Sequence, residues 1–215
     1  MQFIRTAVLA LAAILVVTVS HAAEPTREQA LKALEEPEAS KRLGAVERLA
    51  EVGRMSDTDQ LVRRLTDAEP QVRASAADAM WRIWGRSGDP EIDTLFARGV
   101  EQMQSAAFDE ALKSFNTIVA RKPEFAEGWN KRATIYFLLG ENEKSLQDCA
   151  EVLRRNPNHF GALSGVGQIH LRLGNLEQAL AAFRRALDVN PNLEGIAHLL
   201  PKLEQYMRDK DRKSI

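Results

Sequence analysis

Cysteine, proline, histidine and net charge are all scarce in this chain, and each scarcity removes a class of protein. Its 215 residues include one cysteine, Cys149. A lone thiol can neither close an intramolecular disulfide nor build a zinc site, so Cys149 reads as a small buried hydrophobe. The balance of 29 basic and 30 acidic residues gives a net charge of −1. A phosphate-neutralising surface needs a basic surplus, so no nucleic-acid partner is expected. Eight prolines and twelve glycines are few enough for long helices joined by short turns. With 45% hydrophobic and 27% charged residues, the remainder is an ordinary globular balance with ample material for a core.

The N-terminus has its own pattern. Arg5 is the only charged side chain before Glu24, and the apolar run Ala7 to Val19 is followed by Ser20-His21-Ala22. A positive start, a short apolar stretch and small residues at a cleavage point describe a secretory signal peptide, here residues 1–22. The rival is a retained anchor, because the uncharged stretch 6–23 reaches the lower edge of a membrane span. Both place the bulk of the chain outside the cytoplasm, in a bacterium most simply in the periplasm, secreted or anchored. No cysteine at the cut offers a lipid attachment point.

The second half is periodic. Pro123, Pro157 and Pro191 recur every 34 residues and divide the chain into units 92–125, 126–159 and 160–193. In that register Leu95, Trp129 and Leu163 align, as do the small residues Gly99, Ala133 and Gly167. Ala111, Ser145 and Ala179 share another small position, followed four residues later by Phe115, Cys149 and Phe183. Three units in one register resemble the tetratricopeptide (TPR) repeat, with its W-x2-L-G-x2-Y…A-x3-F…P pattern. Unit 126–159 keeps both Trp129 and Tyr136, whereas Arg98 and Arg132 stand at the usual leucine and Gln102 and His170 at the usual tyrosine, which should loosen packing there. The resemblance implies two helices per unit, with Gly140 and Gly174 in the left-handed turn between them and proline ending the second helix. Residues 194–208, with Ile196, Leu199, Leu200, Leu203 and Tyr206 at helical spacing, supply a capping helix, and 209–215 read as a frayed tail.

Residues 27–86 are helical by pattern too. Asp67 precedes Arg73 by six residues, with Val72, Ala76, Ala77, Met80 and Ile83 as the apolar stripe. A weaker copy 31 residues earlier holds Glu36, Arg42, Ala45, Val46, Leu49 and Val52. This resembles a HEAT-like repeat pair; the alternative is a plain helical cap over the open end of the array. The segment Gly85 to Pro90 is the expected joint. The fold expected is therefore all-α, a right-handed α-solenoid in which a HEAT-like pair precedes three TPR units and a capping helix.

Catalytic constellations are missing. His159, His170 and His198 lack metal-ligand spacing and each is explained by a repeat position or a helix surface. The glycines of GALSGVGQ follow no strand, so they are not a phosphate loop. Trp81 and Trp84 read as packing residues. No enzyme activity, cofactor or metal is expected. The TPR resemblance instead implies a concave groove lined by the first helices. Its positions are Asp93, Phe96, Val100, Met103 and Gln104; Glu127, Asn130, Thr134, Phe137 and Leu138; and Gly161, Ser164, Gln168, Leu171 and Arg172. Of these, Phe96, Val100, Met103, Asn130, Thr134, Phe137, Leu138, Gln168, Leu171 and Arg172 are the expected partner-binding residues. The carboxylate clamp of some TPR proteins falls on Phe96, Val100, Lys131, Gly161 and Gly165, only one of them basic, and is a poor fit. The function expected is an exported scaffold holding a peptide or helical segment of a protein partner. The alternatives are a groove covered by the chain's own helix 194–208, or a self-associating structural protein with an idle groove.

Overall fold

The computed structural model describes residues 24–213, so the expected signal peptide lies outside the described residues. Those residues form eleven α-helices, with no strand among them. The all-α solenoid expectation holds for 92–193, which folds as three helical hairpins. These are α5 (Pro90–Gln104) with α6 (Phe108–Arg121), α7 (Ala126–Leu138) with α8 (Asn142–Arg155), and α9 (Phe160–Arg172) with α10 (Leu176–Val189).

Each hairpin closes on a small residue facing a large one. A Cβ placed on Gly99 would lie 2.8 Å from the Phe115 ring, and one on Gly167 would lie 2.4 Å from the Phe183 ring. Glycine at these two positions lets the paired helices approach closely enough to bury the phenylalanines. In the middle hairpin the pair is Ala133 with Cys149, both buried. Ser145 Oγ locks that crossing by donating to Ala133 O at 2.7 Å.

The turns repeat as well. Ala107, Glu141 and Asn175 donate their backbone N–H to Gln102, Tyr136 and His170 O at 2.8, 2.8 and 2.9 Å, the bond of a Schellman helix end. That bond requires a left-handed residue just before the donor. Gly140 (φ 80°) and Gly174 (φ 75°) supply it cheaply, but the first unit uses Ala106 at φ 58°. Arg132, expected to loosen the middle unit, does the opposite. Its guanidinium forks onto the buried Asp148 carboxylate with two bonds of 2.7 Å, tying α7 to α8. Trp129 is only partly buried; its Nε1 donates to Pro123 O, and the Arg132 and Arg155 guanidiniums flank its ring.

Helix α11 (Glu194–Lys213) packs on α10 through Ile196, Leu199, Leu200, Leu203 and Met207. It runs past the expected end at 208, and Gln205 reaches Asp209 one turn on, at 2.9 Å; of the tail expected to fray over 209–215, residues 214–215 lie outside the described residues. Tyr206 does not join the apolar stripe and is 59% exposed. Met207 takes its place, one step round the helix.

Residues 27–84 form two further hairpins: α1 (Arg27–Ala33) with α2 (Ala39–Val52), and α3 (Thr58–Arg64) with α4 (Pro70–Trp84). Arg42 and Arg73, 31 residues apart, do the same work. Each donates to the carbonyls six and five residues upstream: Glu36 and Pro37 for Arg42, Asp67 and Ala68 for Arg73. Arg42 also forks onto Asp67 at 2.8 Å, and this hydrogen-bonded pair holds the Asp67 carboxyl below its ordinary range. The HEAT-like reading of this half rests on the sequence pattern alone.

The placement of this half differs from the expected linear solenoid. Helix α4 packs on α2 and α3, not on α5 as another layer. The first half instead folds back along the edge formed by the inter-unit loops. Phe160, from the start of α9, belongs to the same buried cluster as Leu49, Leu65 and Met80, with Val189 and Leu193 against it. Asn192 donates to Leu65 O at 2.7 Å and accepts from Arg73, and Asn158 donates to Asp59. It is thus neither a solenoid layer nor an end cap. The reason is chemical: Trp81, Trp84 and the apolar faces of α2 and α4 find their complement in Phe160 and the loop residues.

Replacing Ala106 by glycine should relieve the left-handed strain of the first turn. The expected gain is about 0.5–1 kcal/mol, read as a higher denaturation midpoint in urea at unchanged slope.

Candidate functional site

Helices α5, α7 and α9 line one face of the array, α7 touching both neighbours. The expected partner-binding residues fall on this face with different fates. Phe96, Val100 and Met103 pack down onto the first unit's core, where Phe96 meets the rings of Phe115 and Phe125 edge-on. They are half-buried there rather than free for a partner. Leu171 packs against the Leu203 cluster, so α11 covers that one position. The self-covering alternative therefore applies to the end of the groove and not to its middle.

The middle is where the expected residues converge. Asn130, Thr134, Phe137 and Gln168 line a cavity of about 190 Å³ between α7 and α9, together with Cys149 and Gly165 at its side. The cavity follows from the repeat register: Cys149 stands where the outer units carry Phe115 and Phe183, and the missing ring leaves space. Cys149, Ala133 and Ile169 were not among the expected groove residues, although the cysteine in a phenylalanine register was the visible signal. Burial, with the nearby Asp148 charge, pushes the Cys149 thiol up to about 12, so it is a neutral apolar wall and not a nucleophile. Thr134 and Gln168 are exposed at the same cavity. Arg172 places its guanidinium 3.5 Å from the Phe137 ring centre and donates to Phe137 O at 2.6 Å, bridging α9 to α7. Leu138 is 54% exposed, just beyond this contact.

The other end of the groove is closed. Glu127, which the TPR resemblance placed among groove-facing positions, is buried. It accepts from His159 Nε2 at 2.9 Å, pairs with Lys131 at 3.0 Å and accepts twice from Asn130 Nδ2 at 3.1 Å. Burial alone would raise its carboxyl, but the hydrogen bond and charge of His159 and the Lys131 ammonium outweigh that and hold it below its ordinary range. His159 is fully buried and is neither a surface residue nor a ligand. Its Nδ1 caps α9 by accepting from Ala162 N at 3.0 Å, and its ring stacks on Trp84 with centres 4.3 Å apart. Trp81 lies so close to α9 that a Cβ on Gly161 would come within 2.4 Å of it. Of the five clamp positions, Lys131 alone is cationic, and its charge is spent on Glu127.

Helical hairpins stacked around a concave face define a helical-repeat binding scaffold. A family model for the tetratricopeptide repeat matches residues 124–192. A TPR repeat-containing protein of Rhizobium etli is 36% identical over 134 residues, 62% of this chain and 66% of that protein. Among solved structures, the Sgt2 TPR domain from Aspergillus fumigatus superposes with a TM-score of 0.54 at 19% identity, covering 58% of this chain and 83% of that one. The first TPR of Spaghetti (RPAP3), bound to the HSP90 peptide SRMEEVD, gives 0.52 at 24% identity, covering 54% and 93%. The chain is a tetratricopeptide-repeat protein. It spans just under two thirds of the Rhizobium etli relative's length, and about a third or less of a Dictyostelium discoideum small glutamine-rich TPR protein and a Glycine max Hsp70-Hsp90 organizing protein that it also matches.

Cys149→Phe should fill the cavity but collide with the Ala133 methyl, costing about 1–3 kcal/mol. Adding Ala133→Gly restores the pairing of the outer units and should recover part of that loss. A double-mutant cycle in urea should give a coupling of about 1 kcal/mol or more, and additive effects would show that the register does not shape the cavity.

Proposed function

We propose that this protein is an exported scaffold, acting in envelope assembly or regulation, that holds a peptide or helical segment of a protein partner in its groove. The observation that carries the reading is the cavity between α7 and α9. It is an apolar-floored recess with Thr134 and Gln168 exposed beside it, at a stretch of the groove that α11 does not cover. Such a recess suits a single anchor side chain of a bound segment, flanked by polar contacts. The RPAP3 domain, similar in fold, holds a peptide, which supports the use of a groove. The chemistry of that peptide does not carry over, because the clamp positions here are Phe96, Val100, Lys131, Gly161 and Gly165.

Two measurements test this. A photo-reactive residue at Gln168 should cross-link to a partner in cell envelopes, and one at the exposed Thr117 of α6, outside the groove, should not. Labelling that is equal at both sites, or only chain-to-chain, would favour a self-associating protein with an idle groove. For the export half, residues 1–26 fused to a phosphatase active only outside the cytoplasm should give enzyme activity. A silent but stable fusion would place the protein in the cytoplasm.

A further inference from the structure

The seam between the two halves holds a second cavity, of about 160 Å³, remote in character from the groove. Its lining includes Trp84, the connector residue Arg86, and Lys122, Phe125, Arg155 and Asn156 from the loops and helix ends around the first two inter-unit junctions. Two of these residues carry buried donors that nothing among the described residues answers. Trp84 is 3% exposed and Asn156 5%, yet Trp84 Nε1 and Asn156 Nδ2 donate to no protein atom among the described residues. A buried donor left unpaired costs about 1–3 kcal/mol, and two on residues that line one cavity point to an acceptor that belongs there.

The charge of the lining says what kind of acceptor. Three cations, Arg86, Lys122 and Arg155, face one anion, Glu124. Arg155 is paired with Glu151 and Lys122 with Glu124, at 3.4 Å for the latter. Arg86 donates to Ala50 O and Gly53 O at 2.6 and 2.8 Å but makes no ion pair among the described residues. Burial, reinforced by Arg82, pushes its pKa down, and the Asp93 carboxylate offsets this only in part. Ala126, the first residue of α7, also lines the cavity, and that helix has no side-chain cap, so its positive end adds to the field. Phe125 and the Trp84 ring supply apolar wall. Met55, 44% exposed, lines the cavity as well.

We propose that this seam is a binding site for a carboxylate on a short apolar body, its two oxygens accepting from Trp84 Nε1 and Asn156 Nδ2 and its charge facing Arg86. A neutral carbonyl or a water would satisfy the donors but leave the charge unanswered. The carboxylate can belong to a free short-chain acid or to a chain terminus, and the two sources share this chemistry. Because the lining comes from both halves, the site exists only where the first half lies folded back on the loops.

The test uses the full chain with pentanoate, its neutral isostere pentanamide, and N-acetylleucine as a chain-terminus mimic. Pentanoate should move the Trp84 indole N–H resonance saturably, while pentanamide leaves it in place. Calorimetry should show binding weakened about tenfold by Trp84→Phe, which keeps an aromatic ring over His159 but removes the donor. Lys122→Gln, on a partly exposed side chain, should weaken it about threefold and keeps the test decisive if the tryptophan variant misfolds. Tighter binding of pentanoate assigns the site to a free acid, and tighter binding of N-acetylleucine assigns it to a chain terminus. The proposal is overturned if the Trp84 resonance does not move by roughly 10 mM of either acid, if pentanamide moves it equally, or if binding survives both variants unchanged.

Discussion

The contact between Glu127 and His159 is the constraint on which this architecture turns. Both side chains are buried, one in the first turn of α7 and the other at the N-cap of α9, and a carboxylate can stay ionised there only if its partners are held in place. His159 satisfies that demand while capping α9 and stacking on Trp84. One residue thereby joins the second unit to the third, and both to the first half. Removing Glu127 would leave the buried His159 Nε2 without its acceptor, beside two tryptophan rings.

From this junction the division of the groove follows. Its end near Glu127 and Gly161 is used to hold the molecule together, and its opposite end is closed at Leu171 by α11. The stretch between them remains open, and there the repeat pattern itself is broken: a cysteine replaces the phenylalanine that fills the outer hairpins. The position least faithful to its repeat is the one that creates space. A repeat array that needs a recess without losing its register has few other ways to make one, since the helix-pairing glycines and the turn residues are already committed.

Much of the fold could be read from the chain because the physics of a TPR unit is periodic. The close helix crossing forces small residues at 99, 133 and 167. The left-handed turn favours glycine at 140 and 174, and the loop selects proline at 123, 157 and 191. The candidate site was legible only in part. Asn130, Thr134, Phe137 and Gln168 do surround one cavity, but Phe96, Val100 and Met103, which read as partner-binding residues, serve the first unit's own core. Glu127 looked like any polar groove residue, since a local pattern does not reveal that a distant tryptophan will bury it. Position 132 shows the same limit: an arginine in a leucine's place reads as a defect until Asp148, sixteen residues on, turns it into a tie. The folding back of residues 27–84 left no local signal at all, because it depends on complementary surfaces rather than on spacing.

That folding back has a mechanical consequence. A free repeat array behaves as a spring, since each unit touches only its neighbours and small rotations accumulate along its length. Here the first half lies along one edge as a strut. It grips Asn158 and Phe160 at one junction and Asn192 and Leu193 at the next, and through Trp84 and Arg86 it reaches the loop before α7. With one edge held at fixed pitch, the opposite face can neither coil tighter nor open, so the groove keeps a single width before anything enters it. A ligand would then meet a surface already in shape, and little of its binding energy would be spent on ordering the scaffold.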